Sequence, residues 1–219
     1  MDWFAPMDAY CERLGPGLFA EPLNAISNLA FFAAALWGAR AARATRSDAA
    51  VWMLVALVFL IGAGSTAFHM FANRLSVLAD VIPISLFIYA YLGFAMRRYL
   101  GAGWIVMGGA LVLLLAVTLA IEHWSPPGFL NGSGAYLPAL LAGLVVAIVA
   151  LAQNLAVAPY LIAASTVLAV SLIFRTADQI ACSLIPIGTH FIWHLLNGLL
   201  LAVYLEAAIR FGVRRETRP

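Results

Sequence analysis

The chain has 219 residues, 64% of them hydrophobic and only 10% charged, with a mean hydropathy of +0.98. A soluble domain carries roughly a quarter of its residues as charges, so most of this surface must face lipid, and the net charge of +2 is too small to recruit nucleic acid. All twelve basic residues are arginine, and with no lysine to form a Schiff base a retinal-type photoprotein is excluded.

Met1 to Pro16 carries acids and no apolar run, so no cleavable signal peptide is read there. The first apolar helix is expected to serve as an uncleaved signal. Beyond it, apolar runs broken by charged or Pro- and Gly-rich stretches predict membrane-crossing helices at 22–44, 49–71, 77–97, 102–121, 135–153, 157–178 and 188–211. The runs are continuous rather than short and alternating, which excludes a transmembrane barrel. Glu122 to Gly134, with Pro126-Pro127-Gly128 and Asn131-Gly132, reads as the longest loop. The expected fold is an all-α membrane protein, a seven-transmembrane helix bundle. It divides into an extracytoplasmic N-terminal segment (1–21), a helical domain (22–211) and a cytoplasmic tail (212–219).

Arginines orient the bundle. Arg40, Arg43 and Arg46 follow the first span, Arg97 and Arg98 the third, and Arg210, Arg214, Arg215 and Arg218 the seventh. Asp2, Asp8, Glu12, Glu21, Arg74, Glu122 and Asp178 fall on the other side. By the positive-inside rule the N-terminus lies outside and the C-terminus in the cytoplasm.

Ionisable residues inside a membrane point to function by default. Ser65 and His69 are four apart at the outer end of the second span, Asp80 begins the third, and His190 and His194 begin the seventh. Imidazoles at i and i+4 share one helical face and can share a metal. With His69 they make three nitrogen ligands and leave a fourth position open, the arrangement of a catalytic rather than a structural zinc. Asp80 can accept a proton from water, and the Ser65 hydroxyl can hydrogen-bond a developing oxyanion. Against this, a single helix-end histidine is ordinarily interfacial, and His123 is read that way. Ser65 after Gly62-Ala63-Gly64 is also what close helix packing requires.

These residues resemble the alkaline ceramidase family, within a wider group of seven-helix hydrolases that includes the adiponectin-type receptors. The likeness runs nearly end to end: Tyr10-Cys11-Glu12, Glu21-Pro22-Leu23-Asn24-Ala25-Ile26-Ser27-Asn28, Gly64-Ser65-Thr66-Ala67-Phe68-His69, Asp80, Phe174-Arg175 with Asp178 and Cys182, and His190 to His194. The resemblance implies Zn2+ held by His69, His190 and His194, with Asp80 and Ser65 assisting hydrolysis of the ceramide amide. It also implies Ca2+ beside the zinc, for which Asp8, Glu12 and Glu21 offer oxygen ligands; the other reading makes them solvated or helix-capping acids. Three departures bear on calcium. Tyr10 stands where tryptophan is usual, Arg13 lies near an expected asparagine, and Asp8 is four rather than three residues before the glutamate.

The predicted topology puts Cys11 and Cys182 outside, where disulfides persist. A bridge would pin the N-terminal segment over the site; the alternative is two buried free thiols. Arg175 and Asp178, three apart, are read as pairing with each other or ordering this mouth. The leading function is a zinc-dependent lipid amidase whose partners are a ceramide-like substrate and the bilayer. The alternatives are a lipid-sensing receptor on the same scaffold and an intramembrane serine protease pairing Ser65 with a histidine. The first lacks a large cytoplasmic effector surface, and the second leaves three histidines and Asp80 without a use. No feature specifies an oligomeric state.

Overall fold

The computed structural model describes residues 2–212. Arg214, Arg215 and Arg218, and with them nearly all of the expected tail, lie outside the described residues. The chain forms α1 (Pro22–Ser27), α2 (Leu29–Ala44), α3 (Ala49–Phe71), α4 (Arg74–Arg98), α5 (Trp104–Trp124), α6 (Leu137–Ala152), α7 (Ala158–Ala181) and α8 (His190–Phe211). Joined by a hitch at Asn28, α1 and α2 make one span, and among the described residues seven spans are long and apolar enough to cross a membrane. The chain is thus an all-α, multi-pass integral membrane protein.

Every expected span is present, and one connection differs. Glu122 and His123 belong to the last turn of α5, and Phe129–Tyr136 folds as a 3-10 helix leading into α6. Left-handed backbone at Gly128, Leu130, Asn131 and Gly132 coils this Pro- and Gly-rich stretch into tight turns, where the sequence suggested an open loop.

Small residues decide how closely the helices approach. A side-chain carbon on Gly64 would stand 1.9 Å from the Ala79 carbonyl oxygen, so only glycine lets α3 lie against the α4 backbone there. Pro83, four residues on in α4, has no N–H to give that carbonyl, and α4 therefore presents a free backbone oxygen to Gly64. A carbon on Gly198 would likewise meet the Ala30 backbone at 2.9 Å, which brings α8 onto α2. By contrast α5 buries only Leu114 and is left as an outer, lipid-facing helix.

Residues 2–21 fold back across the end of the bundle where α3 ends and α4 and α8 begin. Met7 N–H donates to the Ala72 carbonyl at 2.7 Å, Leu75 N–H to Trp3 at 3.1 Å, and Gln179 Nε2 to Ala9 at 2.8 Å. A disulfide joins Cys11 to Cys182. Beside it, buried Asp178 accepts from the N–H groups of Cys11 (3.1 Å), Thr189 (2.6 Å) and His190 (2.9 Å). One carboxylate thereby caps α8 and ties the N-terminal segment to it. Gly188 must be glycine: its φ is +66°, and an added carbon would sit 2.1 Å from Asp178 Oδ1. At the opposite end Asp48 caps α3 through Ala50 and Val51 N–H and pairs with Arg98 from the end of α4.

Candidate metal centre

The last turn of α3 supplies His69, and the first two turns of α8 supply His190 and His194. One ring nitrogen from each lies within 4.8 Å of the others, and all three side chains are fully buried. Among the described residues this is the one group of three or more His, Cys, Asp or Glu side chains that converges so.

The surrounding hydrogen bonds fix which nitrogen carries the proton. Ser27 Oγ donates to the Asn24 carbonyl at 2.8 Å, so its hydroxyl proton is committed. Its 2.7 Å contact with His194 Nδ1 must then have the imidazole N–H as donor. Glu21 Oε2 accepts from His69 Nδ1 at 2.6 Å. In the neutral form that a metal ligand takes, both rings turn an unprotonated Nε2 inward, and these two nitrogens stand 3.1 Å apart. Two lone pairs cannot hydrogen-bond each other, and a cation between them resolves the contact. Nitrogens bound to a tetrahedral zinc at about 2.0–2.1 Å would be roughly 3.3 Å apart, so the spacing fits. His190 Nδ1 is buried with no partner, a further nitrogen whose lone pair or proton the protein does not satisfy.

Outside the rings stands a polar shell. Glu21 Oε1 pairs with Arg13 Nε, and Asn24 Nδ2 donates to Glu21 Oε2 at 3.1 Å. Burial by itself raises the Glu21 pKa; the bonds from His69, Arg13 and Asn24 outweigh it and hold the carboxyl below its usual range. Tyr10 stacks on His190, with centroids 3.6 Å apart and planes at 15°. Burial pushes the Tyr10 hydroxyl up to about 12 despite the nearby Arg175, so it remains a neutral hydroxyl. A carboxylate holding a ligand histidine is a recurrent device of metal sites, orienting the ring and raising its basicity.

Ser65 and Asp80 line one largely apolar cavity together with His190, His194, Trp193 and Arg175. Asp80 Oδ1 is buried and unpaired. The Gly64–Ala79 approach is what sets Ser65 beside Asp80, because each is the next residue along its helix. Close helix packing at Ser65 and its place on the cavity wall are therefore one arrangement.

The three acids considered for calcium are not brought together. Asp8 is exposed. Both oxygens of Glu12 cap α1, accepting from Leu23 N–H at 2.6 Å and Asn24 N–H at 2.8 Å. Glu21 is engaged by Arg13 and His69. Arg13 also donates Nη1 to the Gly15 carbonyl at 3.1 Å and Nη2 to the His69 carbonyl at 3.0 Å. A guanidinium thus sits among the oxygens that a hard cation would use, and these residues as they stand do not fit calcium. The anticipated Arg175–Asp178 pair is also absent, since Asp178 is taken up by three backbone N–H groups. Arg175 turns instead to Tyr10, donating Nη1 to its hydroxyl at 2.9 Å. His123 is exposed at the end of α5, away from the cluster.

Sequence reasoning missed the parts played by Arg13, Asn24 and Ser27. Asn24, Ser27 and Asn28, spaced three and four apart in an apolar span, were a visible signal of a buried polar face. Arg13 left none, because its role depends on the fold-back of an irregular segment. A family model described as Ceramidase matches residues 10–218. No curated protein matches the sequence.

Proposed function

This chain belongs to the ceramidase family, and from that premise we propose that it is a zinc-dependent membrane amidase cleaving ceramide-like lipids to a sphingoid base and a fatty acid. His69, His190 and His194 hold the metal. Zinc, when bound there, supplies a Lewis acid and acidifies water at neutral pH. The observation that carries the reading is the pair of inward lone pairs on His69 and His194, 3.1 Å apart and each fixed by a partner on the far side of its ring.

The remaining work falls to residues of the chain. Asp80, with one oxygen buried and unpaired, takes the proton from the attacking water and returns it to the leaving amine. The Ser65 hydroxyl hydrogen-bonds the amide oxygen as negative charge builds on it. Glu21 and Ser27 keep the His69 and His194 rings from rotating. The apolar cavity takes the hydrocarbon chains, at roughly 0.8 kcal/mol per buried methylene. The arginines that follow α2, α4 and α8 support a cytoplasmic location for that end, with the histidine end, the N-terminal segment and the disulfide facing outward. No step is assigned to calcium.

The test is hydrolysis of a ceramide by purified protein, with metal analysis alongside, before and after His194→Ala. Wild type is expected to turn over and to carry about one equivalent of zinc; the variant should lose both. A variant that kept full activity with stoichiometric zinc would refute the assignment.

A further inference from the structure

Arg175 is a charged group to which the proposed hydrolysis gives no task. Its guanidinium lines the same cavity as Asp80, His190 and His194. Among the described residues it has no carboxylate within ion-pair distance, unlike buried Arg13, which pairs with Glu21. Nη1 donates to Tyr10, but Nε is buried with no acceptor. The rings of Tyr10, Tyr136 and Trp193 surround the cation with centroids at 5.7, 5.4 and 5.3 Å.

The aromatic faces offset part of the cost of holding a cation here. They supply neither a counter-charge nor an acceptor in the plane of the fork. The Asp80 carboxylate shares the cavity but stands beyond ion-pair distance, and a cation in a membrane span without a direct partner is expensive and marks a ligand path. The missing partner is an anion with two adjacent oxygens, the geometry a guanidinium matches best. Amide hydrolysis creates such a group where none existed, since the neutral amide becomes a carboxylate and an amine.

We infer that Arg175 is a carboxylate-binding residue of the cavity, receiving the head of the released fatty acid while its chain remains among the apolar helices. The inference rests on the amidase reading for the source of the acid, but the subsite itself is a property of the cavity. Substrate lacks the charge, so Arg175 distinguishes product from substrate. The protein should therefore show product inhibition by fatty acid.

The experiment compares palmitate with hexadecanol, which has the same chain and no charge, as competitors of a fluorescent fatty-acid probe. It uses wild type, Arg175→Gln and Arg175→Lys, each with zinc bound and after zinc removal. Palmitate is expected to compete better than hexadecanol in wild type and to weaken about tenfold in Arg175→Gln, the loss typical of a charge-assisted bond. Hexadecanol should be unchanged, and Arg175→Lys should recover part of the difference. The preference should survive removal of zinc, which separates Arg175 from the metal as the anion receiver. Equal weakening of both competitors, or a palmitate preference that vanishes with zinc, overturns the inference. If Arg175→Gln does not fold, wild type still decides: equal competition by palmitate and hexadecanol in the zinc-free protein overturns it. A protein that binds palmitate through Arg175 yet fails to cleave ceramide leaves the subsite standing and sinks the amidase reading instead.

Discussion

At the scale of single residues, the centre depends on groups that never touch the metal position. Ser27 accepts the His194 Nδ1–H and donates its own hydroxyl to the Asn24 carbonyl; Glu21 accepts the His69 Nδ1–H while Arg13 and Asn24 donate to it and hold it in place. Outer partners of this kind are commonly worth about 10–100-fold in metal affinity. Ser27→Ala is therefore expected to weaken zinc binding by about that factor, read by competition with a chromogenic chelator, with the helical content unchanged. Unaltered affinity would mean that the ring is held by packing against Phe31, whose centroid lies 6.0 Å from that of His194. The three histidines were legible in the sequence because i, i+4 spacing on a helix needs no tertiary knowledge. The shell was not, and neither was the destination of Arg175. Spacing of three residues suggested a pair with Asp178, but two backbone N–H groups at the start of α8 and that of Cys11 offer that carboxylate more than one guanidinium does.

At the scale of elements, hydrophobic runs gave all seven spans because a bilayer demands some twenty apolar residues from each. The sequence also contained the device that joins two of them. Gly64 and Pro83 act as one feature, the first removing a side chain and the second freeing the carbonyl that fills the space. Gly64→Ala forces its new carbon into the Ala79 oxygen at 1.9 Å, and neither partner can yield without moving a helix. The expected cost is that of overpacking, about 1–3 kcal/mol, seen as a lower thermal midpoint in detergent. Hydrolysis should fall with it, since the displaced segment carries Ser65 and Asp80. Gly108→Ala on α5 is the control: nothing lies within 4 Å of its added carbon, and it should leave both readings unchanged. Equal behaviour of the two variants would show that the α3–α4 approach is not what sets the site. Such pairings were beyond the sequence pattern because hydropathy says that a helix spans, not which neighbour it meets.

At the scale of the whole molecule, two asymmetries coincide. The arginines gather where α2 and α4 end and α3 begins, and the N-terminal segment, the histidines and the disulfide gather at the other end. Coincidence on one axis makes the orientation a functional statement: it decides which leaflet's lipids lie level with the cavity mouth. The bridge between Cys11 and Cys182 leaves no free thiol among the described residues, so a single introduced cysteine can be labelled without background. Ser47→Cys lies between α2 and α3 among the arginines, and Ser125→Cys follows α5 at the histidine end. In intact cells a membrane-impermeant maleimide is expected to modify Ser125→Cys directly and Ser47→Cys only after the membrane is opened. Labelling in the reverse order would place the arginines outside and turn the metal centre toward the cytoplasm. The disulfide would then sit in a reducing compartment, so the same result would also call for free thiols at Cys11 and Cys182 in protein isolated under alkylating conditions. Topology and redox state are thus two readings of one variable, and they must agree.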